Sequence, residues 1–346
     1  MRKPAQSCHR RSKWCLVDVD KTFMRQAIQL ADETFVQTLP NPKVACLLVD
    51  ADGAIVGSGV HGTSGLDHAE VIALRVAGDR AKGSTAYVTL EPCAHQGKTG
   101  PCVDALHRAG VSRVVFAVSD PTHGGQKELI AHQMQIASGV LEDEARIGLA
   151  PWLHGEECNT PFVTLKVAST LDGYIAAQDG TSKWITSVQS RLLVQQLRLD
   201  VDAIVTSTAT VREDNPHYTI REYEAMWQPH IYVMGKSDIS SATNIAGRST
   251  QIKSHNPLDV LLQATHDGRR HLLVEAGGKV AGAFLKANLV NRILWISAPT
   301  ILGDGVQAIQ GLGARSLKDA LRAKVIEQRS QDEDFLTVLQ TNRCSH

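Results

Sequence analysis

His68-Ala-Glu-Val-Ile-Ala-Leu-Arg-Val-Ala77, Thr85-Ala-Tyr-Val-Thr-Leu-Glu-Pro-Cys93 and Cys102-Val-Asp-Ala-Leu-His-Arg-Ala109 decide how this chain folds. The first has helical apolar spacing, the second is an apolar strand ending in Pro-Cys, and the third is a helix stopped by Gly110. Val111 to Val118 then reads as another strand. Upstream, Phe23, Met24, Ala27, Ile28 and Ala31 line one face of a helix over residues 21–37, closed by Leu39-Pro-Asn-Pro42. Val44–Val49 and Ala54–Ser58 are strand candidates, joined by a hairpin turn at Asp50-Ala-Asp-Gly53. This alternation predicts a layered α/β domain.

The same segments set three soft metal ligands, His68, Cys93 and Cys102, beside one carboxylate, Glu70. One imidazole and two thiolates leave a fourth position on zinc for water, whereas a purely structural site usually takes a fourth protein ligand. His95 is the nearest candidate for that role; facing substrate is its other reading. At the helical period, residues two apart diverge by about 200°. His68 therefore grips the ion while Glu70 moves protons between water and a leaving amine. A helix N-terminus lowers a thiol's pKa, so Cys102 is expected to ligate as thiolate. His-x-Glu followed by Pro-Cys is the signature of zinc-dependent hydrolytic deamination.

The bulk properties bound the rest. At 346 residues the chain accommodates two cores. Lys plus Arg and Asp plus Glu both total 36, a formal charge of zero, so no global field recruits nucleic acid or an acidic membrane. Basic residues cluster at Arg2, Lys3, His9, Arg10, Arg11 and Lys13, and residues 1–20 read as a flexible tail. Seven scattered cysteines do not make a disulfide framework, which points to a reducing compartment. With neither an apolar run of roughly 20 residues nor a signal-peptide core in residues 1–20, the expectation is a soluble, cytoplasmic protein.

Eight residues separate Cys93 from Cys102, where many zinc deaminases have two. The run Thr89-Leu-Glu-Pro-Cys-Ala-His-Gln-Gly-Lys-Thr-Gly-Pro-Cys102, with Asn41-Pro-Lys-Val44 and His61 upstream, resembles the deaminase half of the bifunctional deaminase/reductase family of riboflavin biosynthesis. That resemblance implies a cytidine-deaminase-like three-layer domain, zinc on His68, Cys93 and Cys102, catalysis by Glu70, and substrate contacts from Asn41, His61 and His95. His95 and Lys98 are candidates to meet a substrate phosphate, with a solvated loop lysine the other reading of Lys98. The chain departs from the family at Ala45, Val60 and Gly100, all outside the zinc set.

Connector signals at Ala150-Pro-Trp152 and Asn159-Thr-Pro161 place a boundary near Pro161. Beyond it, Phe162–Ala168, Ala203–Ser207, His271–Glu275, Ile293–Ser297 and Phe335–Gln340 read as strands, with helices over Val188–Leu197, capped by Thr186 or Ser187, and Val280–Ala287. No G-x-G-x-x-G opens a strand-to-helix unit, so a Rossmann site is not indicated. Gly277-Gly278 either exposes backbone N–H groups to a cofactor phosphate or makes an ordinary tight turn. Arg198 and Arg221 offer forked donors to a substrate phosphate, or belong to surface ion pairs.

Leu165-Lys-Val-Ala-Ser-Thr-Leu-Asp-Gly173, Ser182-Lys-Trp-Ile-Thr-Ser187, Thr210-Val-Arg-Glu-Asp-Asn-Pro216, Thr219-Ile-Arg221 and Val274-Glu-Ala-Gly-Gly278 resemble the reductase half of the same family, in the same order. The resemblance implies a dihydrofolate-reductase-like domain that uses NADPH. Ser182, Arg198, Arg221 and Glu275 fall on its substrate positions, and Ala168, Trp184, Thr210, Asp214, Gly277 and Gly278 on its cofactor positions. The expected layout is a tail over 1–20, a zinc deaminase domain over 21–160 and a reductase domain over 161–346. A homo-oligomer that deaminates a phosphorylated diaminopyrimidine and then reduces its ribosyl group with NADPH is expected. The rival readings are a single-activity deaminase with a ligand-binding C-terminal domain, and a non-catalytic zinc-stabilised module.

Overall fold

The computed structural model describes residues 13–63, 65–96 and 100–341, without the side chains of 13–17. The basic cluster before Lys13 and Lys98 therefore lie outside the described residues. The chain divides into two compact units, Met1–Glu156 and Glu157–His346.

In the first unit the elements run α1 (Lys13–Glu33), β1 (Ala45–Val49), β2 (Ile55–Val60), α2 (Ala69–Ala77), β3 (Thr85–Leu90), α3 (Cys102–Arg108), β4 (Arg113–Val118), α4 (Gln126–Ala131), β5 (Gln135–Ser138) and α5 (Glu142–Cys158). The sheet order is β2-β1-β3-β4-β5, with β1 antiparallel to β2 and β3, and β3, β4 and β5 parallel. The hairpin turn forms where expected, because the Asp50 carboxylate accepts the backbone N–H groups of Asp52 and Ala54. Helix α1 starts at Lys13, inside the stretch read as tail. Asp20 fixes it to the sheet by accepting both terminal nitrogens of Arg113, at 2.6 and 2.7 Å, and the Tyr87 hydroxyl at 3.0 Å.

The region after Asp120 corrects the sequence reading. Ala150-Pro-Trp152, expected to be connector, lies inside a 17-residue helix, α5, that contains Pro151 and follows α4 and β5, elements not anticipated from the sequence. Proline normally ends a helix, which is why Ala150-Pro-Trp152 read as a break. The apolar positions Ala145, Leu149, Trp152 and Leu153 nevertheless follow helical spacing, and all four are buried in the first core.

The second unit contains β6 (Phe162–Thr170), β7 (Tyr174–Ala176), α6 (Val188–Leu199), β8 (Ala203–Ser207), α7 (Thr208–Asp214), β9 (His230–Met234), β10 (Ser249–Ile252), α8 (Pro257–His266), β11 (His271–Val274), α9 (Gly278–Lys286), β12 (Arg292–Ala298), β13 (Val306–Gln307), β14 (Lys324–Gln331) and β15 (Asp334–Gln340). Its large sheet has the order β10-β9-β8-β11-β6-β12-β15-β14. The first six strands of that order are parallel, and β15 and β14 close the edge antiparallel. Central β6 is apolar along most of its length, as a parallel strand covered on both faces must be. Ser187 caps α6 by accepting the Ser190 N–H. Glu275 and Gly277 come just after β11 and Thr210 just after β8, so those candidate residues gather at the carboxyl ends of parallel strands, where open α/β sheets bind ligands. Among the described residues no helix is long and apolar enough to cross a membrane.

Candidate active sites

In the first unit, α2 lies close on β2 because Gly59 has no side chain. A Cβ there would stand 2.3 Å from the Ala69 carbonyl oxygen and 2.8 Å from the Ala73 nitrogen. His68 is the extended residue that caps this helix, and Glu70 is in its first turn. The two residues are therefore not both helical, and the imidazole leaves the helix axis at the N-cap. Cys93 follows Pro92 just past β3, and Cys102 opens α3. Nδ1 of His68 is 3.2 Å from Cys102 Sγ and 3.5 Å from Cys93 Sγ. All three ligand atoms lie within 4.8 Å of one another, the cluster of metal-ligating groups found among the described residues.

The electrostatics of this cluster follow from its crowding. The hydrogen bond from Cys102, then that from His68, hold the Cys93 thiol down at about 4. The same Cys93–Cys102 bond, with burial, pushes Cys102 up. Direct contact between the two sulfurs therefore favours the first negative charge on Cys93, whereas a metal ion held by both would draw both thiols to thiolates, as expected of Cys102. Hydrogen bonding to Cys93 raises the His68 pKa. Glu70 is buried, and desolvation lifts its carboxyl to about 7.

His61 and Asn41 stand beside the cluster. The His61 Nδ1–H donates to the Asp67 carbonyl at 3.1 Å, which leaves Nε2 to accept from Asn41 Nδ2 at 3.0 Å. Burial lowers the His61 pKa, so the ring is neutral, and it meets the His68 ring edge-on at 5.1 Å. His95 is exposed, with its ring 4.0 Å from that of His123. It does not join the ligand cluster.

Glu91, part of the quoted motif, received no role from the sequence. Its buried carboxylate accepts the N–H groups of Gln126, at 2.8 Å, and Asp120, at 3.2 Å. It thereby fastens the 120–126 loop, which pairs with Cys93 through Gly124 and takes the Ala94 N–H on the His123 carbonyl.

In the second unit, Arg198 and Glu275 form a bidentate pair, Nε to Oε1 at 2.9 Å and Nη2 to Oε2 at 3.0 Å, while Nη1 donates to the Thr219 carbonyl at 3.0 Å. Both side chains are about 90% buried, with 11% and 9% exposed. The Arg198 fork thus faces Glu275, and the pair acts as one polar surface. Burial opposes ionisation of Glu275, but the charge and hydrogen bonds of Arg198, aided by Lys166, outweigh it and hold the carboxyl below its ordinary value. Burial lowers the pKa of the Lys166 ammonium; the charge of Glu275 opposes this and that of Arg198 adds to it, and the net direction is downward. Lys166 is a residue that the sequence reading passed over.

The remaining candidates occupy the rim. Ala168 lies on β6 opposite Ile296. Trp184 is 72% exposed, holds a left-handed φ of +69°, and carries the Arg191 guanidinium 4.3 Å from its ring centre. Thr210 donates its backbone N–H to the Ser207 hydroxyl, which caps α7; Asp214 is exposed at the end of that helix, and Ser182 is partly exposed in its loop. Arg221 is exposed, its backbone N–H donating to Gln195. The two glycines differ. Gly277 is the N-cap of α9 with open space around it, whereas a Cβ on Gly278 would come 2.2 Å from the Gln307 carbonyl oxygen.

Comparison with known proteins bears on both halves. Residues 17–118 match the cytidine and deoxycytidylate deaminase zinc-binding region, and residues 161–336 match the RibD C-terminal domain. The riboflavin biosynthesis protein RibD of Mycobacterium tuberculosis is 43% identical over 309 residues, 86% of this chain and 91% of the relative. That of Escherichia coli K12 is 36% identical, covering 91% and 97%. The solved structure of Acinetobacter baumannii RibD superposes with a TM-score of 0.82 at 32% identity, covering 94% of this chain and 99% of that one. A Thermotoga maritima diaminohydroxyphosphoribosylaminopyrimidine deaminase/5-amino-6-(5-phosphoribosylamino)uracil reductase gives 0.81 at 29% identity, with 94% and 99% covered. The cytidine-deaminase-like and dihydrofolate-reductase-like expectations both hold.

Proposed function

This chain belongs to the RibD family of riboflavin biosynthesis proteins and is a bifunctional deaminase/reductase using Zn2+ and NADPH, and from that premise we propose which residues perform each step. The substrate is 2,5-diamino-6-ribosylamino-4(3H)-pyrimidinone 5′-phosphate. Residues 21–160 form the deaminase domain and residues 161–346 the reductase domain. The alternative of a single-activity deaminase with a non-catalytic C-terminal half is not favoured, because the C-terminal half carries its own family match.

His68, Cys93 and Cys102 fit zinc, since one imidazole nitrogen and two sulfurs converge within 4.8 Å, and three protein ligands leave the fourth tetrahedral position to a non-protein ligand. Zinc, when bound, supplies Lewis acidity and lowers the pKa of water toward neutrality. Glu70 does the proton work: a buried carboxyl near 7 both takes a proton and returns it to departing ammonia. Asn41 and neutral His61, locked by one hydrogen bond, hold the pyrimidine beside it, and His95 faces the substrate.

NADPH, when bound, would supply hydride for C1′ of the ribosyl group. The chain's own part is to hold the sugar and to give O4′ a proton as the C1′–O4′ bond opens to the ribityl chain. Lys166, with a lowered pKa beside Glu275, is suited to donate it. Arg198, Glu275, Ser182 and Arg221 bind the phosphorylated sugar. Ala168, Trp184, Thr210, Asp214 and the Gly277-Gly278 start of α9 bind the cofactor.

The substrate is a small molecule. Nucleic acid is not a partner, consistent with the zero formal charge. The protein is cytoplasmic, where its cysteine sulfurs stay reduced, and homo-oligomeric. Leu171 and Ile301, both exposed and brought close by the Leu171 N–H bond to the Thr300 carbonyl, support self-association. The convergence of the three ligand atoms carries this reading. Its test is sequential: ammonia release from the diaminopyrimidine, followed by NADPH oxidation that depends on the deaminated product. NADPH oxidation that never appears would leave only the single-activity alternative.

A further inference from the structure

Tyr218 has no part in either reaction as assigned so far, yet it touches both members of the Arg198–Glu275 pair. Its backbone φ is +50°, a region that a bulky residue enters only when its surroundings impose it. The side chain is buried, and its ring lies under the Arg198 guanidinium, whose central carbon is 5.5 Å from the ring centre. The hydroxyl donates to the Glu275 carbonyl at 3.1 Å, and Thr206 Oγ1, 2.7 Å away, donates to the hydroxyl in turn. One phenol thus joins the ends of β8 and β11, at the turn leading into Gly277-Gly278.

We propose that Tyr218 is a positioning residue for the phosphoribosyl substrate, fixing Glu275 through its main chain and Arg198 through the face of the ring. The inference rests on the assignment of Arg198 and Glu275 to substrate binding. Thr219, the next residue, receives Arg198 Nη1 on its carbonyl. The strained turn at 218–219 therefore holds the arginine from two sides and the glutamate from one. A phenylalanine at 218 would keep the ring and its packing but leave the Glu275 carbonyl without this donor. Burial and the charge of Glu275 keep the phenol protonated, so the donor persists across the working pH range.

The experiment uses the full chain loaded with zinc. Tyr218→Phe is compared with the parent for reductase KM and kcat on the deaminated pyrimidine, for NADPH Kd, for ammonia release and for melting temperature. The expected result is a KM raised about 5- to 10-fold, as loss of one buried hydrogen bond implies. NADPH Kd and ammonia release stay within about twofold of the parent. Thr206→Val, which removes the second tie, raises KM in the same direction by a smaller factor, and it gives the same readout if the phenylalanine variant does not fold. An unchanged KM with only a lower melting temperature overturns the inference, as does an equal rise in NADPH Kd. Glu275→Gln is run in parallel. If it raises KM while Tyr218→Phe does not, the role of Tyr218 falls alone; if it leaves KM unchanged, the substrate assignment falls too.

Discussion

The two units build their sites in opposite ways. In the first, the proposed zinc ligands and Glu70 come from two short stretches, 68–70 and 93–102, and the ligand atoms converge within 4.8 Å. In the second, the central ion pair joins positions 77 apart, and it is steadied by a tyrosine from a third segment. Coordination chemistry dictates residue type, so a metal site leaves its identity in the sequence. A sugar and cofactor site at strand ends draws on main-chain groups and on arginine, glutamate, glycine and tyrosine, which occur everywhere for other reasons.

That contrast predicts separable losses. The largest is expected for Cys102→Ser, which removes one of three zinc ligands. Metal analysis should find zinc lost and ammonia release lowered by roughly three orders of magnitude or more, while NADPH oxidation with deaminated substrate persists. Loss of both activities would break the contrast. Next in size is Arg198→Ala, which leaves Glu275 buried without its partner and should destabilise the second unit by about 3–5 kcal/mol. Denaturant unfolding checks this, and zinc content and ammonia release should be retained.

A smaller effect separates the sites by pH. The Glu70 carboxyl titrates near 7 in the folded chain against an ordinary 4.5, so folding favours its protonated form. Its stabilising contribution is complete below about 4.5 and disappears as pH rises to about 7. In chelator-treated protein the parent should therefore lose up to ~3 kcal/mol across that window, whereas Glu70→Gln should not. Parallel melting curves for the two proteins between pH 4.5 and 7 would contradict the burial argument.

Much of this architecture was legible. Strands β3 and β8 begin and end where their apolar runs do, and the Asp50 turn and the Ser187 cap follow from side chains that bond nearby backbone. Other features were hidden for identifiable reasons. Pro151 disguised α5, whose apolar period continues through it. Strand β14, at the sheet edge and largely exposed, has no alternation of apolar and polar residues to reveal it. Helix α8 did carry signals, with Asn256 as N-cap and Pro257 in its first turn, which were not read. In the deaminase site the proposed ligands were legible from residue type and spacing, but the close contact between the two sulfurs was not, since folding creates it. In the reductase site, Arg198 was marked by its forked donors as well as by resemblance, Glu275 by resemblance alone, and nothing local marked Lys166 or Tyr218.

The most direct test of the central claim, that one carboxylate works beside a metal it does not hold, is Glu70→Gln with zinc and ammonia measured on the same preparation. The account predicts a full complement of zinc, ammonia release reduced about 10²- to 10⁴-fold, and undiminished NADPH oxidation on deaminated substrate. Zinc lost with the substitution, or ammonia released at the parental rate, would contradict it.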